Sequence, residues 1–552
     1  MISSIIRKHP HLSLLLLSAL LLLATNGNHS LLAHDEGYYA MQARWILETQ
    51  DWLTPQWWGT PVYDRTIGIQ WLIALTYKLL GISDFNARLP SMIFCIISVL
   101  LTYHIGKILL NKKIAFLAAI ILSLMPIWIF EGRSATQNTA LVCVELLGIW
   151  ALLRCEELGN KQKNKKILWG ILAGSTFGLG FLIKGFMIIL PGVAIIPYLI
   201  FKNKQHRHLT NIGIYLGLVI GFIPAILWLI LSCLKYNSLF PVTDLFSKLF
   251  TLSADNTYNP GTFYYFWNIP LNTFPWALFS IIGFLYVCLY RTFTKYYLSL
   301  LLGYPSILFL LLCIFRTRTP YYPLQILPFM AILAAVGLFN LEHIYQMRKY
   351  NLDKLISYVL NAFTILGIIL LVAGSLIILD ITIPGIPLTS QIKQYGILGI
   401  ILGASWATII TTWQKRKLLP DRYWLLSWLI SPYLAITTLG FTGILGDRNP
   451  VLKKEINQAN IIQVISAYSI NFVIDVPKNN PVDTKIENYA DIDISKNFLL
   501  LSFYTPKLGK ILQIENLPTE SYAWINPKIS KTLFNKYQII GTVKNWKLIH
   551  KH

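Results

Sequence analysis

Two adjacent carboxylates follow the first apolar stretch of the chain, in the sequence HDEGYYA at residues 34–40. Charged residues at such a position often only anchor the end of a membrane span. A carboxylate that faces a cavity at the membrane surface has two chemical uses, because it accepts a proton as a general base or ligates a metal ion. Asp35 and Glu36 are therefore candidate catalytic residues, with interfacial anchoring as the alternative.

A second acidic residue stands beside a cation in WGTPVYDRTIGIQW, residues 58–71. Asp64 and Arg65 lie in an aromatic setting there. The alternative is a local ion pair, which contributes at most about 1 kcal/mol when it is exposed. We take Asp64 as a candidate contact to a metal or to an acceptor.

Three further cations lie inside or next to apolar stretches. They are Arg133 in EGRSATQN (131–138), Lys184 in LGFLIKGFMIILPG (179–192) and Arg318 in FRTRTPYYPLQILP (315–328). A charge in an apolar span is costly and marks a functional site unless the side chain extends to the membrane surface. Since arginine pairs well with phosphate oxygens, these residues predict an anion site that suits a lipid phosphate.

The composition indicates the kind of element that must position these residues. The chain is 55% hydrophobic and 13% charged, whereas a soluble protein carries about 25% charged residues. The formal net charge of +22 comes from short Lys and Arg clusters between apolar stretches, as in membrane proteins, so no nucleic-acid partner is predicted. All six cysteines lie in or beside apolar stretches, which predicts neither a disulfide framework nor a cysteine-based zinc site.

Apolar segments of about 20 residues predict a polytopic α-helical membrane protein with about thirteen transmembrane helices. The two apolar segments around Lys184 are alternatively one long helix broken at Lys-Gly. The first apolar segment is a retained span or, alternatively, a signal peptide. Every second connection is basic, which predicts a cytoplasmic N-terminus and an external loop at residues 34–88.

The sequence divides into two predicted domains. Residues 1–446 form the transmembrane domain, in which the external loop 34–88 carries helices along the membrane surface. Residues 447–552 form a small exoplasmic α/β domain. Two apolar runs, NFVIDV (471–476) and FLLLSFY (498–504), are interpreted as its strands.

These stretches together resemble the membrane-embedded C-fold glycosyltransferases. The resemblance is to the branch of the protein O-mannosyltransferases (dolichyl-phosphate-mannose-protein mannosyltransferase-like) and lipid A aminoarabinose transferases, and it covers roughly residues 30–340. It depends on the acidic pair after the first span and on five further motifs in the expected order. The motifs are QDWLTPQWWGTPVYDRTIGIQWL, FNARLPS, GRSATQNTALV, GLGFLIKG and RTRTPYYPLQILP.

The resemblance implies transfer of a sugar from a polyprenyl-phosphate carrier to an acceptor hydroxyl, with inversion. The charge bias of the connections places the reaction on the exoplasmic face, and the few charged residues and short loops indicate a bacterial plasma membrane. The resemblance also implies that Asp35, within the pair Asp35-Glu36, is the catalytic carboxylate. Arg65 stands where the family has a phosphate-binding lysine, and Lys184, Arg318 and Arg133 are further candidates for the donor phosphate. The acceptor is a lipid, a protein or a glycan.

The sequence departs from the family pattern in three places. Where the family has Glu-Lys-Pro-Pro, this chain has Asp64-Arg65-Thr66-Ile67. It has Asn138 where an aspartate is expected, and residues 235–260 lack an expected metal-binding histidine. No cofactor is therefore required, and a divalent metal held by Asp64 with Asp35 or Glu36 stays an alternative. The alternative functions are a multi-span transporter and a catalytically inactive scaffold. A transporter of this size usually shows paired halves, and no internal repeat is recognisable here.

Overall fold

A computed structural model describes residues 8–158, 162–200, 207–254, 260–290, 297–347, 353–381, 390–442, 449–474, 492–526, 529 and 537–552. Helices predominate in the described residues. Those of the first half are α1 (Pro10–Leu23), α2 (Tyr38–Thr49), α3 (Gly68–Leu80), α4 (Asp84–Leu109), α5 (Lys112–Ser123), α6 (Pro126–Gly132), α7 (Asn138–Glu157), α8 (Lys163–Lys184), α9 (Ile189–Ala194), α10 (Ile196–Ile200), α11 (Ile212–Tyr236), α12 (Phe240–Ala254) and α13 (Tyr264–Asn272).

The later helices are α14 (Trp276–Leu289), α15 (Tyr304–Ile314), α16 (Leu327–Met347), α17 (Asp353–Ile378), α18 (Ser390–Trp406), α19 (Ile409–Gln414), α20 (Asp421–Thr442), α21 (Pro450–Ile456), α22 (Ala459–Ala467) and α23 (Ile492–Tyr504). The strands are β1 (Gln56–Trp57), β2 (Thr60–Pro61), β3 (Ile470–Val473), β4 (Leu508–Leu512), β5 (Ser521–Ile525), β6 (Tyr537–Val543) and β7 (Trp546–Lys551).

The helices confirm a polytopic membrane protein. In the described residues, 9 helical segments are long and apolar enough to cross a membrane, or up to 11 if each of two bent pairs is one span. The bent pairs are α5 with α6, at 66°, and α13 with α14, at 111°. A shorter apolar helix covers Ser299–Ile314. The predicted number of about thirteen spans is not confirmed.

The helical stretch around Lys184 is one candidate span, Lys163–Ala194, which agrees with the alternative of a single helix broken at Lys-Gly. Helix α8 ends at Lys184 because Gly185 has a φ of +57°, a conformation that glycine adopts without steric strain. A short 3₁₀ turn, Gly185–Ile188, then leads into α9. The break therefore leaves Lys184 at a helix terminus, where its side chain is not confined to the regular helix surface.

The chain forms two compact units, and each is described by itself. The membrane unit comprises Met1–Thr25, Ser91–Arg133 and Gln137–Leu445. The α/β unit comprises Asn26–Pro90, Ser134–Thr136 and Gly446–His552. The sequence assigned loop 34–88 to the transmembrane domain, whereas in the structure this loop is grouped with the C-terminal residues.

The C-terminal part of the α/β unit contains a five-stranded sheet in the order β4-β3-β5-β7-β6. Strand β3 runs parallel to β4 and β5, while β7 is antiparallel to β5 and β6. The predicted α/β class is confirmed, and β3 (Ile470–Val473) overlaps the first three residues of the predicted strand NFVIDV, whose last two residues lie outside the described residues. The second predicted strand, FLLLSFY, is wrong, because these residues belong to helix α23. Phe498, Leu499, Leu500 and Leu501 are all buried, so this helix lacks the amphipathic pattern that would have distinguished it from a core strand.

The loop 34–88 contributes helices α2 and α3, both of which the sequence predicted. Helix α2 is joined to the C-terminal part through Arg44, whose guanidinium donates to four carbonyls at the end of α23 and beyond it. The acceptors are the carbonyl oxygens of Ser502 at 3.2 Å, Phe503 at 3.2 Å, Thr505 at 2.9 Å and Pro506 at 2.7 Å. Arg44 thus satisfies carbonyls that a helix C-terminus leaves without intrahelical partners.

Candidate active site

The turn that carries the acidic pair is a single π-helical turn, Ala33–Gly37, at the start of α2. The Gly37 N–H donates to the Leu32 carbonyl at 2.9 Å, and Glu36 Oε2 accepts from the Leu32 N–H at 2.8 Å. Asp35 is partly exposed, whereas Glu36 is only 2% exposed. The two neighbouring carboxylates therefore have different environments.

Glu36 is enclosed by donors from three parts of the α/β unit. Besides Leu32, its carboxylate accepts from Arg88 Nε at 2.7 Å and Arg88 Nη2 at 2.9 Å, and from the Ala135 N–H at 2.7 Å. A carboxylate has about four acceptor sites, so these bonds use its capacity. These contacts suit a residue that fixes the turn and thereby positions Asp35.

Arg88 belongs to the candidate site through its ion pair with Glu36, and the sequence reasoning did not single it out. Its Nη1 donates to the carbonyls of Asn26 at 2.6 Å and His29 at 3.1 Å, and its Nη2 donates to Ser30 at 2.8 Å. The motif FNARLPS could have indicated the pairing of Arg88 with Glu36, because a buried arginine needs an acidic partner and Glu36 lies in the preceding loop.

Arg65 forms a cluster with two tyrosines and Asp64. Its guanidinium carbon lies 4.3 Å from the Tyr38 ring centroid and 5.0 Å from that of Tyr39. Arg65 Nη2 donates to Asp64 Oδ2 at 3.1 Å, and the Tyr38 hydroxyl donates to the same oxygen at 3.3 Å. Tyr38 in turn stacks on Trp57, with ring centroids 5.6 Å apart. The cation is therefore held in a defined position by aromatic faces and one carboxylate.

Electrostatics keep this cluster cationic at Arg65 and neutral at Tyr39. Burial opposes the Arg65 charge, but Asp64 and the tyrosines outweigh it and raise the pKa of Arg65 well above its ordinary value. Burial raises the pKa of the Tyr39 phenol, Arg65 opposes this rise, and Asp35 adds to it. Tyr39 is thus within electrostatic range of both Asp35 and Arg65, which places the acidic turn and the cation in one neighbourhood.

Asp64 has spare hydrogen-bonding capacity. Its Oδ1 atom is buried and has no hydrogen-bond partner among the residues that the structure describes. A buried carboxylate oxygen without a donor is costly, so a ligand that supplies a hydroxyl or a cation would be favoured there.

Lys184, in the membrane unit, contacts Asn138 and two tyrosine rings. Its ammonium donates to Asn138 Oδ1 and lies 5.1 Å and 5.3 Å from the ring centroids of Tyr321 and Tyr322. Asn138 Nδ2 donates to Glu131 Oε2 at 2.6 Å. The structure thus brings together residues of three sequence motifs: EGRSATQN, LGFLIKG and TPYYPLQ.

The two predicted phosphate-binding arginines of the membrane unit contact backbone carbonyls. Arg318 donates to the carbonyls of Cys313 at 2.8 Å and Arg316 at 3.5 Å, near the end of α15. Arg133 donates to Leu21 and Ala24, both at 2.9 Å, at the end of α1. The contacts of Arg133 are those of a helix cap, in which a cation offsets the negative end of the helix dipole.

The predicted site residues are divided between the two units. Asp35, Glu36, Asp64 and Arg65 lie in the α/β unit, and Arg133, Lys184 and Arg318 lie in the membrane unit. No group of three or more His, Cys, Asp or Glu side chains converges within the described ranges. A metal held by Asp64 with Asp35 or Glu36 therefore stays a prediction.

Known proteins match the chain in sequence over part of its length. The family model for dolichyl-phosphate-mannose-protein mannosyltransferase matches residues 64–230. An undecaprenyl phosphate-alpha-4-amino-4-deoxy-L-arabinose arabinosyl transferase of Pseudomonas aeruginosa (strain UCBPP-PA14) is 30% identical over 208 residues, which is 36% of this chain and 37% of the relative. The transferase of the same name from Aeromonas hydrophila is 26% identical over 248 residues, 44% of each chain. The matches therefore span less than half of these relatives.

Solved structures match the chain over nearly its whole length. ArnT from Cupriavidus metallidurans, in a crystal structure bound to undecaprenyl phosphate, superposes with a TM-score of 0.72 at 15% identity over 98% of this chain and 97% of that chain. Its apo structure gives a TM-score of 0.69 over 99% of this chain. The chain therefore shares the fold of this ArnT, and its residues 64–230 are similar to the dolichyl-phosphate-mannose-protein mannosyltransferase family.

Proposed function

We propose that the protein is an integral-membrane glycosyltransferase that moves a sugar from a polyprenyl-phosphate carrier to an acceptor hydroxyl, with inversion at the anomeric carbon. The relatives from Pseudomonas and Aeromonas carry the name of an undecaprenyl phosphate-dependent transferase, which supports the donor class. The acceptor is a lipid headgroup, a protein or a glycan. The reaction takes place on the exoplasmic face of a bacterial inner membrane, with the N-terminus in the cytoplasm.

Asp35 is the proposed general base. As the acceptor oxygen attacks the anomeric carbon, its proton passes to the Asp35 carboxylate, and the electron pair of the breaking carbon–oxygen bond goes to the donor phosphate. The observation that supports this role most directly is the contrast within the acidic pair. Asp35 is partly exposed on a fixed turn, whereas four hydrogen bonds occupy its neighbour Glu36.

Cations are the proposed partners of the donor phosphate. Negative charge grows on that phosphate as the sugar leaves, and fixed positive charge stabilises it. Arg65 is suited to this role because its position is set by two tyrosine rings and Asp64 before any ligand binds. In the membrane unit, Lys184 and Arg318 are proposed as anion-binding groups. The resemblance also implied Arg133, but its carbonyl contacts favour a capping role.

The proposal is tested by measuring transfer from a radiolabelled undecaprenyl-phosphate sugar in membranes that contain the wild type or Asp35→Asn. Loss of the general base is expected to lower the rate at least about 100-fold. Asp380→Asn is the matched control, since Asp380 is exposed and pairs with Lys393 at 2.7 Å. The control is expected to transfer at the wild-type rate.

Each result of this measurement has a distinct meaning. Label that enters a separable product with the wild type, but not with Asp35→Asn, supports the transferase, and the product identifies the acceptor class. Equal transfer by both proteins removes Asp35 as the base. If folded wild type transfers from none of several polyprenyl-phosphate sugars, the transferase is overturned in favour of the transporter or the scaffold.

A further inference from the structure

We infer that Glu131 is a positioning residue for Lys184 and acts on it through the side chain of Asn138. The inference rests on the proposed function, because it assigns the origin of the negative charge that orients a proposed donor-binding cation. The three side chains form one hydrogen-bonded series, from Glu131 to Asn138 to Lys184. Glu131 is 4% exposed and Asn138 is 6% exposed, so these two side chains are shielded from water, whereas Lys184 is partly exposed.

The chemistry of the two end groups fixes the orientation of the amide between them. A lysine ammonium only donates hydrogen bonds, and a carboxylate only accepts them. An amide with its oxygen toward Lys184 and its nitrogen toward Glu131 satisfies both, whereas the flipped amide satisfies neither. The ammonium is therefore linked to a carboxylate, although no acidic side chain stands at position 138.

This series explains why the aspartate that the resemblance leads one to expect at position 138 is an asparagine. An aspartate there would bring a second carboxylate to the position of the Asn138 nitrogen, which is 2.6 Å from Glu131 Oε2. Two carboxylates at that separation do not both stay ionised. Lys184 thus keeps an acidic partner, because the Glu131 carboxylate acts on it through the Asn138 amide.

The series Glu131–Asn138–Lys184, which we call the relay, also holds Lys184 against two aromatic rings. Tyr321 and Tyr322 contact the ammonium from the segment that follows α15, while Asn138 holds it from the start of α7. Lys184 is the last residue of α8, followed by the break at Gly185, so its own helix constrains its side chain little. Contacts from other elements must then set its direction, and the bond from its ammonium to Asn138 is charge-assisted and therefore strong.

A charge swap tests the relay. Glu131→Gln removes the carboxylate but keeps its shape, and the double variant Glu131→Gln with Asn138→Asp exchanges the amide and the carboxylate. Binding of undecaprenyl phosphate to the purified full chain is expected to weaken about tenfold in the single variant and to recover most of that loss in the double variant. The single variant Asn138→Asp is expected to bind weakly as well, because its carboxylate faces Glu131.

A control and a second measurement separate positioning from general stability. Glu342→Gln removes another buried carboxylate, which pairs with Lys113 at 2.7 Å, and is expected to bind undecaprenyl phosphate like the wild type. The second measurement is the rate at which an amine-reactive ester modifies Lys184, read by peptide mass spectrometry. This rate is expected to rise at least about threefold in Glu131→Gln and to return toward the wild-type value in the double variant, since a lysine held by a charge-assisted bond reacts slowly.

The outcomes distinguish the inference from the proposed function. If Glu131→Gln matches the wild type in both measurements, or if the double variant is no better than the single one, the relay is overturned. If wild type does not bind undecaprenyl phosphate, the proposed donor is overturned, and the modification rate of Lys184 alone decides the relay.

Discussion

Glu36 and Arg88 form a buried ion pair next to the candidate catalytic residue Asp35. Their side chains are 3% and 2% exposed, so both charges have lost most of their hydration. Such a pair offsets its desolvation only when further hydrogen bonds satisfy both partners. The loop carbonyls around Arg88 and the Leu32 and Ala135 N–H groups around Glu36 meet that condition. We conclude that the pair fixes the turn geometry that holds Asp35.

Glu36→Gln is therefore expected to destabilise the protein strongly. The substitution leaves the Arg88 guanidinium buried without its counter-charge, which costs about 3–5 kcal/mol. Thermal unfolding in detergent measures the effect as a lowered Tm. Glu157→Gln is the control, because Glu157 is 35% exposed in its pair with Arg154 and its loss should cost less than about 1 kcal/mol. Equal Tm values for the two variants would contradict the positioning role.

At the scale of elements, small residues determine how α8 and α11 pack. A Cβ atom on Gly217 of α11 would lie 2.1 Å from the Ile171 carbonyl oxygen of α8, and one on Gly178 would lie 2.2 Å from the Gly221 carbonyl carbon. Backbone atoms cannot move aside as a flexible side chain does. The two helices therefore approach closely only because glycines lie where one backbone meets the other, which is a common packing mode of membrane helices.

Gly217→Ala is expected to separate these helices and to cost about 1–3 kcal/mol, as overpacking of a tight interface does. The measurement is the midpoint of thermal aggregation of the purified protein. Gly303→Ala provides the matched control, because a Cβ there meets no atom within 4 Å and Gly303 has a negative φ of −63°. A midpoint for Gly217→Ala as high as that of Gly303→Ala would show that the close approach adds nothing to stability.

Elements whose pattern is local were predicted from the sequence. The length of the apolar segments predicted a membrane protein, and the helical spacing of apolar residues predicted α2 and α3. The run FLLLSFY was misread because burial on all sides removes the periodicity that separates a helix from a strand. The motif order indicated the resemblance to the C-fold glycosyltransferases, but Arg88 and the Glu131 relay depend on side-chain directions that spacing alone does not define. The bent pairs likewise involve breaks that hydropathy does not register.

At the scale of the whole molecule, the α/β unit is assembled from distant parts of the sequence. Arg44 of α2 bonds the Ser502 carbonyl, 458 residues away, and Tyr504 of α23 contacts Asp84 and the Leu31 N–H. Lys453 adds bonds to the Gly27 carbonyl at 2.8 Å and to Asp84 at 3.1 Å. The sequence could not predict this grouping, because no local pattern indicates which loop a C-terminal domain contacts. It follows that the loop carrying Asp35 depends on the C-terminal residues for its stability.

Arg44→Gln tests that dependence. The variant loses up to four hydrogen bonds to the carbonyls around the end of α23, so the segment 26–90 is expected to become sensitive to limited proteolysis in the purified protein. Transfer activity is expected to fall with it, because Asp35 lies on the turn that precedes α2. Lys507→Gln is the matched control: it removes one exposed bond to the Ala467 carbonyl and should leave proteolysis unchanged. If Arg44→Gln resists protease as well as the control does, the loop is stable without the C-terminal residues, and Asp35 is held by the Glu36–Arg88 pair alone.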